Sequence, residues 1–268
     1  MVTPSTIDLE LTGQHALVCG GTEGIGRAAA HLLAAHGADV TLLARSRGGL
    51  EAAVAALPRR TSGQTHAWIE ADMSDLSTLG TKVEASANAR AVTILVHNSG
   101  GPPGGPAHAA DLAAYDAAFR QHVLAGQTLL RAVLPGMRRA RTGRVINVIS
   151  TSVKEPIRGL GVSNTIRAAV AGWAKTLATE LGPFGITVNN VLPGYTRTRR
   201  LEQIIEDRMR STGKLREEIE QSMLSSVPAG RFAEPSEVAA AILFLASPAA
   251  AFINGVNLPV DGGRTLSL

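Results

Sequence analysis

The stretch ALVCGGTEGIGRAAAHLLAAHGADVTLLAR, residues 16–45, decides how the chain is read. An apolar run stops at Cys19, and glycines follow at positions 20, 24 and 26 in the spacing G-x-x-x-G-x-G. An Ala/Leu-rich stretch of helical length starts near Ile25, and a second apolar run, ADVTLLAR, comes after it. A strand, glycine turn, helix and strand in this order set a helix N-terminus, with its unpaired N–H groups, beside the end of a strand, where a pyrophosphate binds. Gly20, Gly24 and Gly26 let the backbone approach such an anion, and Thr22, Glu23 and Ile25 complete the turn. A tight βα connection without a ligand has the same glycines; the second strand beyond the helix favours the dinucleotide reading.

The pattern continues outward. HALVCGG, ADVTLLAR, HAWIEAD, VTILVHNSG, GRVINVIS, GITVNNVLPG and NGVNLPV are seven short β-branched runs separated by helix-length, Ala-rich segments. This alternation predicts βαβ units and an α/β fold: a Rossmann-like, doubly wound parallel sheet of about seven strands with helices on both faces. Right-handed crossovers make that winding the default. The pattern is unbroken by linkers or repeats, so residues 1–268 are expected to form a single domain. The charged segment 199–228 is expected as a movable insertion of two short helices over the site, carrying i,i+4 charge pairs among Glu202, Glu206 and Arg210.

Composition narrows the class. The chain has 268 residues, 45% of them hydrophobic and only 3% aromatic, so Ala, Leu, Val and Ile must fill the core. One cysteine, Cys19, excludes an internal disulfide and a Cys-rich metal site, and no metal is expected. Neither a leader-like opening nor a run of about 20 apolar residues is present, so a soluble, cytoplasmic protein without membrane contact is expected. The charge of +4 comes from arginines spread along the chain without interleaved aromatics, which argues against nucleic acid. RRAR at 138–141 and RTRR at 197–200 are read as solvated faces, with an anionic small molecule or an acidic carrier protein left open for either.

With these residues in view, the chain resembles the short-chain dehydrogenase/reductase family, as a divergent member close to 3-oxoacyl-carrier-protein reductases. The family turn T-G-x-x-x-G-I-G appears with Cys19 in place of its Thr. EAD ending at Asp72, HNSG at 97–100 in place of N-N-A-G, RVINVIS ending at Ser150, VNNVLPGYTRT and PVDGG extend the likeness over nearly the whole chain. The resemblance implies an NAD(P)-binding enzyme acting on a small molecule, and a homo-oligomer, dimer or tetramer. It also implies that Asp72 and Met73 hold the adenine and that Asn98, Ser99 and Gly100 line a ribose. Pro193, Gly194, Thr196 and Thr198 would orient the nicotinamide amide.

Charge bears on which cofactor is used. Where NAD-preferring members place an acid after the second strand, this chain has Ala44, Arg45 and Ser46. An arginine there suits a 2′-phosphate, so NADPH is expected over NADH. Glu23 argues weakly the other way, unless its carboxylate points to solvent.

The catalytic positions are where the chain departs from the family, whose set is a serine, a tyrosine thirteen residues on, a lysine four further, and an asparagine on the preceding helix. Counting from Ser150 lands on Ser163 and then Arg167, and His122 falls at the asparagine position. Ser163 lacks the acidity of a phenol, and Arg167, with a pKa above about 12, replaces a cation but releases no proton. Both are expected to position cofactor or water. Ser150, at the C-terminal end of a strand, is the expected oxyanion donor. For the proton, His122, Lys154 and Tyr195 stay open as candidates, His122 also as a structural residue; Tyr115 is expected to pack. Ser152, Lys154, Tyr195 and Arg199 are the substrate-facing candidates.

Three functions follow. The first is an NADPH-dependent reductase passing hydride to a carbonyl, with water or substrate supplying the proton. The second is hydride addition to a conjugated enone, where charge spreads into an enolate and a strong acid is less needed. The third is a catalytically silent NADP(H)-binding sensor or partner protein.

Overall fold

The computed structural model describes residues 7–267. All seven expected strands form: β1 (His15–Cys19), β2 (Asp39–Ala44), β3 (His66–Glu70), β4 (Ile94–His97), β5 (Gly143–Val148), β6 (Ile186–Pro193) and β7 (Asn257–Val260). They make one sheet of order β3-β2-β1-β4-β5-β6-β7, and every pairing is parallel. The order reverses between β1 and β4, and at such a switch point the loops leave in opposite directions and open a crevice beyond the strand ends.

Helices cover both faces. Against one lie α1 (Gly24–Ala35) and α9 (Pro235–Ala246), whose Ala29, Leu33, Ile242 and Leu245 pack on Val18, Val40 and Val96. Against the other lie α3 (Leu76–Ala89), α5 (Ala125–Ala140) and α6 (Gly161–Leu181), whose Leu79, Leu129 and Leu177 meet Leu17, Leu95 and Val145. Strands β1 and β4 are therefore buried on both faces and read as continuous apolar runs. The remaining helices are α2 (Arg47–Ala55), α4 (Leu112–Phe119), α7 (Arg199–Thr212) and α8 (Arg216–Leu224).

Two local features position the site. Between α4 and α5, residues Arg120–Leu124 form a π-helical turn, so His122 sits where one extra residue widens the helix. The segment 199–228 does form two helices, closed by a small cluster of Leu201, Ile205, Ile219, Met223 and Phe232. An i,i+4 charge pair forms, Arg216 with Glu220 at 2.6 Å, but Glu202 and Arg210 pair otherwise. Arg210 meets Asp207, three residues before it, and Glu202 reaches across to Arg216 of α8 at 2.6 Å, because the packing of the two helices brings Arg216 within reach of Glu202 as well as of Glu220.

Among the described residues no helix is long and apolar enough to cross a membrane, and no group of three His, Cys, Asp or Glu side chains could hold a metal ion.

Candidate active site

A cleft of about 1060 Å³ runs along the C-terminal ends of the strands. At one end the turn after β1 supplies Gly20, Thr22, Glu23, Gly24 and Ile25, and the N-terminus of α1 opens into it without any side-chain cap. The N–H groups there stay available for an anion. The turn is held from beneath: Asn98 Nδ2 donates to the Cys19 carbonyl at 3.2 Å, tying β4 to β1. Gly20 has φ +61°, and a Cβ on it would lie 2.7 Å from Asn98 Nδ2. Gly26, expected at the cofactor, does not line the cleft. A Cβ there would lie 2.1 Å from the Gly20 carbonyl oxygen, so its work is to seat α1 against the turn. The Cys19 thiol, buried beneath, is pushed up to about 12 by loss of solvent and is packing.

The ends of β2 and β3 form the next wall. Arg45 and Ser46 line it; Arg45 is exposed and Ser46 caps α2 by accepting from the Gly49 N–H at 3.3 Å. The neighbouring Arg47 is occupied elsewhere, paired with Glu51 at 3.0 Å and lying over Trp68. Asp72 and Met73 also line the wall. The Asp72 carboxyl is held below its usual range, chiefly by the Ser74 N–H and hydroxyl at 2.8 and 2.7 Å. Asn98, Ser99 and Gly100 follow from the end of β4.

The far end gathers Ser150, Ser163 and Arg167 into one space with Pro193, Gly194, Tyr195, Thr196, Thr198 and Arg199. Ser150 is the last extended residue after β5, and its Oγ accepts from the Ser152 N–H at 3.1 Å, leaving the hydroxyl proton to donate. Ser163 and Arg167, one turn apart on α6, are both buried, at 7% and 6% exposure. Arg167 Nη1 donates to the Val148 carbonyl at 2.9 Å, while its Nε has no partner. Burial, with the charge of Arg200 added, lowers its pKa to about 10, which leaves it a cation at neutral pH.

Three expected site residues lie away from this wall. His122 is 1% exposed under the π-helical turn, with Nδ1 hydrogen-bonded to the Ser99 hydroxyl at 2.7 Å. Burial first, and the Arg167 charge second, lower its pKa to about 2, so it stays neutral and is no proton donor to the cleft. Ser152 and Lys154 are carried off by a turn of 3₁₀ helix at Thr151–Val153 that buries Ser152, its hydroxyl without a partner. Tyr195 lines the cleft with its ring edge-on to Phe232 and the Arg264 guanidinium over it at 4.6 Å. Tyr115 packs against the cluster of Ala118, Val162 and Ile166.

Sequence reasoning had Arg200 only as part of RTRR, read as a solvated face with an anionic ligand left open, and missed Gln121 and Leu160; all three line the cleft. For Arg200 a signal existed: Thr198 is the N-cap of α7, accepting from the Leu201 N–H at 3.4 Å, and this puts residues 199 and 200 in a first turn facing the strand ends. RTRR is thus divided, with Arg197 paired to Glu234 at 3.0 Å and Arg199 and Arg200 in the cleft.

The glycine cradle, the open helix N-terminus and a cleft long enough to pass from β3 to β6 fit a nicotinamide dinucleotide. Comparison with known proteins agrees. Residues 20–265 match the family model described as Enoyl-(Acyl carrier protein) reductase. The 3-oxoacyl-acyl-carrier-protein reductase FabG of Vibrio harveyi is 33% identical over 258 residues, 95% of this chain and 98% of that protein. Cyclohexanol dehydrogenase of Rhodococcus sp. (strain TK6) is 33% identical over 98% of this chain and all of that one. The crystal structure of L-sorbose reductase from Gluconobacter frateurii, complexed with NADPH and L-sorbose, superposes with a TM-score of 0.89. It is 28% identical, covering 97% of this chain and 100% of that chain.

Proposed function

This chain belongs to the short-chain dehydrogenase/reductase family of oxidoreductases, and from that premise we propose that it is an NADPH-dependent reductase of a small carbonyl compound, working with an atypical catalytic set. The observation that carries the reading is that one continuous cleft joins the dinucleotide cradle at Gly20–Ile25 to Ser150, Ser163 and Arg167. NADPH, when bound, supplies the hydride; the chain's residues supply the rest.

Gly24 and Ile25, at the N-terminus of α1, hold the pyrophosphate on backbone N–H groups, and Arg45 pairs with the 2′-phosphate. Asp72 and Met73 hold the adenine, Asn98 to Gly100 a ribose, and Pro193, Gly194, Thr196 and Thr198 the nicotinamide amide. Arg167 donates toward the ribose hydroxyls and keeps a positive field over the reacting carbonyl. Ser150 donates to the oxygen on which charge develops. Ser163, too short and too weakly acidic to give up its proton, holds a water that does so. The α7–α8 segment serves as the substrate lid, and the working form is a homo-oligomer.

A second reading, conjugate reduction of an enone, has one observation in its favour. The cleft end offers a buried cation and the Ser150 and Ser163 hydroxyls but no carboxylic acid or histidine, and its phenol, Tyr195, lies against Phe232 and Arg264, which suits a delocalised enolate better than a localised alkoxide.

The test is turnover by Ser150→Ala. With a reducible ketone or enone, kcat is expected to fall by roughly 10²-fold with NADPH affinity unchanged. Full turnover by the variant would move the oxyanion site elsewhere. Failure of the parent protein to consume NADPH with any carbonyl or enone would leave a nucleotide-binding protein without catalysis.

A further inference from the structure

The reaction end of the cleft gathers positive charge, and no carboxylate lines it. Arg167 reaches it from α6, and Arg199 and Arg200 from the first turn of α7; Arg199 is exposed, whereas Arg167 is buried and Arg200 half-buried. Arg200 lies against Gly101, where a Cβ would come within 3.5 Å of its Nε, and its Nη2 donates to the Pro102 carbonyl at 2.6 Å. The guanidiniums of Arg167 and Arg200 therefore each meet a neutral carbonyl, and each keeps further N–H donors unused; Arg167 Nε is buried with none. The acids that line the cleft, Glu23 and Asp72, are at its other end beside the turn after β1 and the end of β3. Asp207, further along α7, acts on Arg200 and opposes the effect of its burial, but it does not line the cleft and its carboxylate is engaged by Arg210.

Two cations in one partly desolvated space oppose each other, and burial lowers the pKa of both, with Arg200 adding to the effect on Arg167. If Arg200 only fastened α7 to the loop after β4, a neutral donor would make the Pro102 contact without that penalty. The unused donors of the Arg200 fork instead match the two oxygens of a carboxylate, with the Arg167 charge beside them.

We propose that this site takes an oxo acid, a carbonyl compound carrying a carboxylate that Arg200 grips and Arg167 faces, so that charge on the substrate completes the pair. The proposal rests on the reductase reading for the carbonyl, and on the arginines alone for the anion.

The experiment separates the two. Protein saturated with NADP⁺ is titrated calorimetrically with non-reducible matched pairs: benzoate against benzamide and cyclohexanecarboxylate against cyclohexanecarboxamide. Carboxylates are expected to bind about tenfold or more tightly than their amides, as a charge-assisted pair requires. In Arg200→Met the preference is expected to vanish, and in Arg200→Lys, which keeps the charge and loses the fork, to shrink and persist. Equal binding of acid and amide by the parent protein overturns the proposal. So does a preference that survives in Arg200→Met, or a variant that loses NADP⁺ affinity while keeping the preference, which would assign Arg200 to the cofactor phosphates. Because binding is read without turnover, a protein that prefers carboxylates yet never oxidises NADPH fails the reductase reading only. One that reduces neutral ketones with no such preference fails the anion site only.

Discussion

Lowering the pH from 7 to 5 should destabilise this protein through two histidines that cannot be charged when folded. His97, at the end of β4, is buried and is lowered to about 4, by burial first, against the opposing hydrogen bond that Asn147 Oδ1 accepts from its ring and with the Arg167 charge nearby. His122, under the π-helical turn, is lowered to about 2 by burial and then by Arg167. In the unfolded chain both titrate at the ordinary 6.5. Below that value the unfolded state takes up protons that the folded state refuses, so their contribution is complete above about pH 6.5 and is lost as the pH falls. Both folded values lie below 5. Each histidine then forfeits about 1.9 kcal/mol between pH 7 and pH 5, and the pair about 4 kcal/mol, a large share of a typical domain's stability. Urea unfolding at pH 7, 6 and 5, at one protein concentration, measures this. His122→Asn and His97→Asn should each flatten the fall by about 2 kcal/mol, whatever they do to stability at pH 7. A His122→Asn protein that declines as steeply as the parent would refute the reasoning.

Two further outcomes follow from the nucleotide end. Gly26→Ala puts a Cβ 2.1 Å from a backbone oxygen that cannot rotate away, so a loss of about 3 kcal/mol, at the upper end of overpacking effects, is expected together with weakened NADPH binding; an unchanged melting temperature and affinity would contradict it. Arg45→Asp is expected to weaken NADPH by about tenfold or more while leaving NADH nearly unaffected, measured by fluorescence titration, and equal affinity of the parent protein for both cofactors would contradict the assignment.

Much of this protein is determined by local sequence. The seven strands, the glycine turn after Cys19 and the two helices of 199–228 follow from apolar runs and breakers that act over a few residues, and each appears where the pattern puts it. The same holds for the sheet's C-terminal edge as the site, because a parallel sheet with one switch point leaves little choice.

Tertiary packing decided what each polar side chain faces, because that depends on contacts between residues far apart in the chain. Ser163 and Arg167, four apart on one helix, share a face by helix geometry alone, but that Arg167 should meet the Val148 carbonyl and lie within range of Arg200 required β5, α6 and α7 to be assembled. His122 aligned with a catalytic position by counting, yet a π-helical turn with no sequence signature buried it behind Ser99. Lys154 and Ser152 follow Ser150 immediately and still miss the cleft, since a single 3₁₀ turn redirects them. A ladder of side chains across the sheet shows the same division. His97, Asn147, Asn190 and Asn257 lie on four strands, side by side in register, and pass hydrogen bonds of 3.1, 2.9 and 2.8 Å from one to the next. Nothing local marks these residues as partners; only strand order and register bring each one within reach of the next, and the ladder ends at His97 Nε2, buried without a partner.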